Sequence, residues 1–273
     1  MSMKNSSSIA IAGVFLSLGA FLLLFSFLSE MQIAAFVGLG LTFWGAVFAL
    51  ARSGNYVDSR LLDSSAHSTY STIDRMINEL KYNGYSYYLP AYPKDVLLPD
   101  YLKNLREPTV FISDSFDGKP SIDELAQNKF ISDQTHGVFV TSPGAGIMAQ
   151  IEQQLQLDLS KISLDELADI LPKFLTDRLN LAKSANLVLT SHGAEFSAKG
   201  ILYESLYNPE SRPKSLSLLG CPVVSAVAST LAKASGKTVV ISEQKVLPGN
   251  GVFAVYIFVG RQKNGLPPHD LRY

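Results

Sequence analysis

The chain has 273 residues, enough for one large domain or two small ones. Its 23 lysines and arginines nearly balance 24 aspartates and glutamates for a net charge of -1, so there is no basic excess of the kind that marks a nucleic-acid partner. One cysteine, Cys221, excludes an internal disulfide, and the Cys/His spacings of zinc sites are absent, a pattern that fits a reducing compartment.

The apolar excess sits at the N-terminal end. Between Asn5 and Ala51 the only charged side chain is Glu30. Residues 9–29 and 31–51 each run for about 21 residues, roughly 31 Å as helix against a hydrocarbon core of about 30 Å. Ser29-Glu30-Met31-Gln32 leaves almost no loop between them. The pattern predicts a two-helix transmembrane hairpin over residues 1–52, with the lipid bilayer as its partner. A cleaved signal peptide is disfavoured, because the first run is long and Phe27 and Leu28 stand where small residues are needed. Ala34, Gly38, Thr42 and Ala46 form a small-residue stripe suited to helix packing, with Gly13 and Ser17 at matching spacing. Lys4, Arg52 and Arg60 flank the outer ends, so the positive-inside rule places both termini in the cytoplasm, in a multi-pass protein of the cell membrane.

Residues 53–67 read as a polar juxtamembrane linker, and residues 68–262 as the globular domain. Ser71 with Asp74 resembles a capping box opening a helix through Ile73, Met76, Ile77 and Leu80, which Asn83-Gly84 ends. The Tyr- and Pro-rich stretch 85–100 reads as a loop packed on the core, or as an aromatic patch facing a ligand. Short β-prone runs follow at 109–113 and 137–141. Ser142-Pro-Gly-Ala-Gly146 then leads into a helix bearing Ile147, Ile151 and Leu155. Ser163 with Glu166 caps a further helix, which Pro172 should kink or split. Residues 186–191 and 195–204 make one hairpin. Cys221-Pro222 opens a helix that Gly236 ends, and 237–246 with 252–260 make a second hairpin before a loose tail at 263–273. Hairpins imply antiparallel pairing, so the expected fold is α+β, helices packed on a mainly antiparallel sheet.

Chemistry is harder to find. The four histidines are scattered without a second ligand at helical spacing, so no metal site is expected, and no G-x-S-x-G elbow nominates a nucleophilic serine. No catalytic residue and no cofactor is assigned. Gly144 and Gly146 could present backbone N–H groups to an anion, but the lysine of a P-loop is missing and a tight turn is the simpler reading. Cys221 stands at a helix N-terminus, where a thiol pKa can fall; the plainer alternative is a small buried hydrophobe. Candidate ligand-facing residues are Cys221, Tyr87, Tyr88 and Phe139.

The segment Leu219-Gly-Cys-Pro-Val-Val-Ser-Ala-Val-Ala, its helix, and Ser235-Gly-Lys-Thr-Val-Val-Ile-Ser-Glu-Gln-Lys-Val resemble the end of the 4-vinyl reductase domain. That module is similar to TRAPP-type trafficking subunits and to the haem–nitric-oxide-binding fold. The resemblance covers residues 137–260 in element order and 215–260 in detail. Leu98-Pro-Asp-Tyr-Leu-Lys followed by Val110-Phe-Ile is similar to prokaryotic membrane-anchored proteins of the same kind. The family's hairpin cysteines are replaced here by Val246 and Ala254, so their thiol or metal role does not transfer. What the resemblance implies is an α+β scaffold with an apolar pocket, often dimeric. The expected function is therefore a membrane-anchored, non-catalytic ligand-binding or sensory domain facing the cytoplasm, with a small apolar ligand and a homodimer among its partners. The alternatives are a dimeric scaffold without ligand, or an enzyme using Cys221 or a pocket carboxylate.

Overall fold

The computed structural model describes residues 3–29, 31–50, 59–82, 84–115 and 120–259. The linker positions 53–58 and the tail expected at 263–273 lie outside these residues. The chain forms two compact units, Met1–Val57 and Asp58–Tyr273.

The first unit is a helical hairpin, α1 (Met3–Ser29) and α2 (Gln32–Leu50). Both helices are long and apolar enough to cross a membrane. Their seam repeats every seven residues: Ala12, Gly19 and Ser26 are buried on α1, and Gly38 and Gly45 on α2. A Cβ on Gly19 would lie 2.7 Å from the Thr42 backbone N, and one on Gly45 2.9 Å from that of Leu16. The backbones therefore approach closely at glycines. The expected four-residue stripe coincides only in part with this seam. Gly38 is buried and Ala34 and Thr42 are partly so, but Ala46 faces outward, as do Gly13 and Ser17. Two long helices that stay in contact follow a period near 3.5, so a strict four-residue stripe drifts off the seam. Gly45→Leu should accordingly lower the thermal stability of the hairpin in detergent micelles, whereas Ala46→Leu should change it by less than about 0.5 kcal/mol; thermal melts of both variants check this.

In the second unit, α3 (Ser59–Leu80) begins twelve residues before the expected start at Ser71, so the last part of the expected linker is helix. Ser71 is mid-helix, its hydroxyl donating to the His67 carbonyl. The buried face of α3 carries Tyr70, Ile73 and Ile77, with Leu62, Ala66 and Leu80 packed beside them. The Tyr- and Pro-rich stretch opens with a strand, β1 (Tyr85–Tyr88), which the loop reading missed, and continues from Leu89 to Pro99 without helix or strand. It pairs with β2 (Thr109–Ser113) on one side and with β7 (Thr238–Leu247) on the other. After the short α4 (Ile122–Ala126) come β3 (Ile131–Ser132), β4 (Gly137–Thr141) and α5 (Ala145–Leu155).

Ser163 caps α6 (Leu164–Lys173) by accepting from the Glu166 N–H, as its sequence implies. Pro172 lies inside α6, which passes into a π-helical turn at Phe174–Arg178. The hairpin β5 (Ser184–Leu189) and β6 (Gly193–Lys199) stops short of the expected residue 204, because Gly200 takes a positive φ of 61°. A short α7 (Leu216–Leu219) precedes α8 (Pro222–Ser235), which Gly236 ends in the left-handed region. β7 and β8 (Gly251–Val259) form the closing hairpin.

Among the described residues, eight strands join one antiparallel sheet in the order β3-β4-β2-β1-β7-β8-β6-β5. The α+β architecture with a mainly antiparallel sheet is therefore what the chain adopts. Its main core centres on α8, in which every residue from Pro222 to Lys233 is buried. The segment Leu216–Ser235 is also long and apolar enough to span a bilayer, yet 89% of it is buried inside the fold. A helix that is apolar all round belongs in a membrane or at the centre of a domain, and here it is the domain centre. On the opposite sheet face, Tyr87, Leu89, Phe111, Phe139 and Val240 form a second, smaller cluster.

Candidate functional site

Cys221 is the N-cap of α8, with Pro222 in the first helical turn. The helix N-terminus would favour a thiolate, but the residue is fully buried. Burial pushes the thiol up, against smaller opposing contributions from Tyr207 and from the Val224 and Val223 amides. Tyrosines clamp the bend between α7 and α8 around it. Tyr70 donates its hydroxyl to the Gly220 carbonyl, Tyr88 to the Leu219 carbonyl at 2.6 Å, and Tyr256 to the Val224 carbonyl at 2.9 Å. Gly220 has φ 66°, which lets the chain turn between the two helices. The thiol is thus a packed core group at a hydrogen-bonded corner.

Burial also raises the phenols of Tyr70, Tyr88, Tyr207 and Tyr256. A group whose folded pKa is raised keeps its proton longer in the native state. Its stabilisation is complete below the unfolded pKa and is lost as pH rises towards the folded value. The domain should lose stability steeply from about pH 9 upward, where unfolded thiol and phenols begin to ionise. Urea midpoints at pH 7, 9 and 10.5 check this, and a thiol reagent should label Cys221 in step with unfolding.

Ser142 and the two glycines after it form a packing turn. The Gly144 N–H donates to Ser142 Oγ and Ser225 Oγ, at 3.3 and 3.1 Å, and the Ala145 N–H donates to the Ser142 carbonyl. Ser142 Oγ also meets Ser225 Oγ at 2.9 Å and Ser229 Oγ at 2.7 Å, so α5 starts directly against α8. A Cβ on Gly144 would fall within 2.6 Å of the Ser225 carbonyl carbon, and closer still to the Ala226 backbone. A Cβ on Gly146 would meet nothing within 4 Å. Of the two donors expected to cradle an anion, the Gly144 N–H is spent inside the protein.

The four candidate ligand-facing residues do not converge, because successive strand residues point to opposite sheet faces. Tyr88 and Cys221 lie in the α8 core, whereas Tyr87 and Phe139 lie in the second cluster on the other face. Phe139 does border an open groove of about 690 Å³, within the range of small-molecule sites. Its lining combines Ser68, Thr69, Thr72 and Met76 of α3 with Glu107, Thr109, Asn128, Phe130 and Thr141 from elsewhere in the chain. Sequence reasoning missed this groove because its walls come from segments far apart in the chain. The one local sign was the run of hydroxyl residues in 64–72.

A second feature went unread. Lys233, with its side chain 1% exposed, places Nζ 2.5 Å from Glu152 Oε1 and 3.2 Å from Asp158 Oδ1. Lys94 closes the network from the surface, 2.8 Å from Glu152 Oε2. Burial alone would raise Asp158, but the amides of Lys94 and Ser160, the Ser160 hydroxyl and Lys233 hold it well below the usual carboxylate range. Every charge is paired, so the network is a cross-link between α8 and the α5–α6 region. Among the described residues, no three His, Cys, Asp or Glu side chains could share a metal ion. No protein-family model, curated protein or solved structure matches the chain.

Proposed function

We propose that the protein is a membrane-tethered, non-catalytic binding domain that holds a small molecule in the groove between α3 and β4. The observation that carries this reading is the pairing of two bilayer-length helices with a domain whose candidate nucleophile, Cys221, is sealed in the core, while the groove stays open. Lys4, Arg52 and Arg60 at the outer ends of the hairpin favour a cytoplasmic domain. The order α8, β7, β8 over 222–259 is in keeping with the 4-vinyl reductase resemblance of that segment, and a ligand-binding role follows from the same likeness. The ligand site, however, differs from the apolar pocket implied there, because hydroxyl and amide groups share the groove lining with apolar ones.

The test is mass spectrometry of what full-length protein, purified in detergent, releases on denaturation. A stoichiometric small molecule is expected from the wild type and should be missing from Thr72→Trp, which fills the groove from an exposed helix position. Release of the same molecule from both proteins, or of none from the wild type, sinks the reading.

A further inference from the structure

The hydrogen-bonding sense of the groove narrows its ligand, on the premise that the groove is the binding site. Thr72 Oγ1 donates to the Ser68 carbonyl at 3.1 Å, Thr69 Oγ1 to the Ser65 carbonyl at 3.2 Å, and Thr109 Oγ1 to the Glu107 carbonyl at 3.0 Å. Each hydroxyl has one proton, so these three threonines offer an incoming group only lone pairs. The two charged residues on the lining are not equivalent. Lys129 is held by Asp133 Oδ2 at 3.0 Å and by Glu124 Oε1 at 3.7 Å. Glu107 has no ion pair among the described residues and acts on Lys94 only through longer-range attraction. The groove therefore presents the lone pairs of three threonines and one uncompensated carboxylate, together with the Ser68 and Thr141 hydroxyls and the Asn104 and Asn128 carboxamides, which can donate as well as accept; its apolar lining includes Ile73, Met76, Leu125 and Phe130.

A ligand complementary to this lining supplies several N–H donors, positive charge and an aliphatic stem. An anion would face Glu107 and the threonine lone pairs, and a pure hydrocarbon would leave the polar lining unpaired, each at a cost in affinity. We infer that the groove binds an aliphatic primary ammonium compound, with the ammonium group among Thr69, Thr72 and Glu107 and its methylene chain along Ile73, Met76 and Phe130.

The experiment is calorimetric titration of the full chain in detergent with 1,6-diaminohexane, compared with 1,6-hexanediol and adipate. All three share the six-carbon length and stay in water, so partition into micelles does not mimic binding. The diamine should bind at least about tenfold more tightly than the diol, and adipate should not bind. Glu107→Gln should weaken the diamine about threefold, as expected for a partly exposed ion pair, and added salt should shrink that difference. Thr72→Val, which keeps the shape and removes the acceptor, should also weaken it.

Equal affinity for diamine and diol overturns the ammonium assignment, as does tighter binding of adipate. So does diamine binding that neither substitution changes. If the diamine fails while the denatured extract still contains a different molecule that Thr72→Trp abolishes, the ligand class is wrong and the groove reading survives. If that extract is empty as well, both fall.

Discussion

Lys233→Ala should destabilise the globular domain by about 3–5 kcal/mol, the range for stranding a buried charge. The reason is the company the ammonium keeps. Its side chain is 1% exposed and that of Glu152 is 4% exposed, so after the substitution the buried Glu152 Oε1 loses its partner and only the surface lysine Lys94, on Oε2, still faces that carboxylate. Glu152 Oε1 also accepts from the Leu159 N–H at 3.3 Å, which holds the carboxylate in place after its partner has gone. Lys233 lies in the last turn of α8, where a cation also favours the negative end of the helix. The double variant Lys233→Met, Glu152→Leu should recover most of the loss, since apolar side chains of similar volume remove both desolvation costs. Urea unfolding followed by far-UV circular dichroism measures all three proteins. A single-variant loss below about 1 kcal/mol would mean that the network is solvated in practice.

The acid side carries a linked expectation. Asp158 is depressed in the fold, so its contribution is present above its unfolded pKa, near 4, and is lost as pH falls through the lower folded value. Lys233 is one of the groups that depress it, so the Lys233 variants should show a shallower loss of stability between about pH 4 and pH 2.

Gly144→Ala and Gly146→Ala should move stability in opposite directions although they lie two residues apart. At position 144 the new methyl would meet the α8 backbone, within 2.6 Å of the Ser225 carbonyl carbon. Backbone cannot swing away as a side-chain tip does, so α5 and α8 must separate, and Ser142 loses its contacts with Ser225 and Ser229. The expected cost is about 3 kcal/mol, at the upper end of ordinary overpacking. At position 146 the site is open and lies in the first turns of α5, where alanine is the better helix former. A gain of about 0.5–1 kcal/mol is expected there. Equal and neutral effects at both sites would contradict the packing account of this turn.

Local chemistry made some elements readable and left others hidden. The β7–β8 hairpin lies within a residue or two of its expected bounds, because a long β-branched run meets a Pro-Gly-Asn-Gly turn. α8 was equally plain, with proline at its start and glycine just past its end. β1 was not, since its four residues, flanked by Asn-Gly and by two prolines, read as loop. Its strand character comes from β2 and β7 on either side, which no local window contains. The early start of α3 was legible in principle: Leu62, Ala66, Tyr70, Ile73, Ile77 and Leu80 recur every three or four residues, masked by intervening serines and threonines. The site was the least readable part. Thr72 and Thr141 come to line one groove only through the fold, just as Lys233 and Glu152 become partners only there. A lone lysine in the otherwise uncharged run Val-Ser-Ala-Val-Ala-Ser-Thr-Leu-Ala-Lys was the one available hint that a buried anion waits elsewhere.

The strand order has a consequence for how the protein is made. Four strands from the first half of the domain meet four from the second only where β1 joins β7, through Tyr87 with Val240 and Tyr88 with Val239. Tyr88 therefore leaves the ribosome about 150 residues ahead of its partner, a wait of roughly 8–30 s at about 5–20 residues per second. Throughout that interval the nascent first half has an open strand edge and an apolar face with no α8 to cover it.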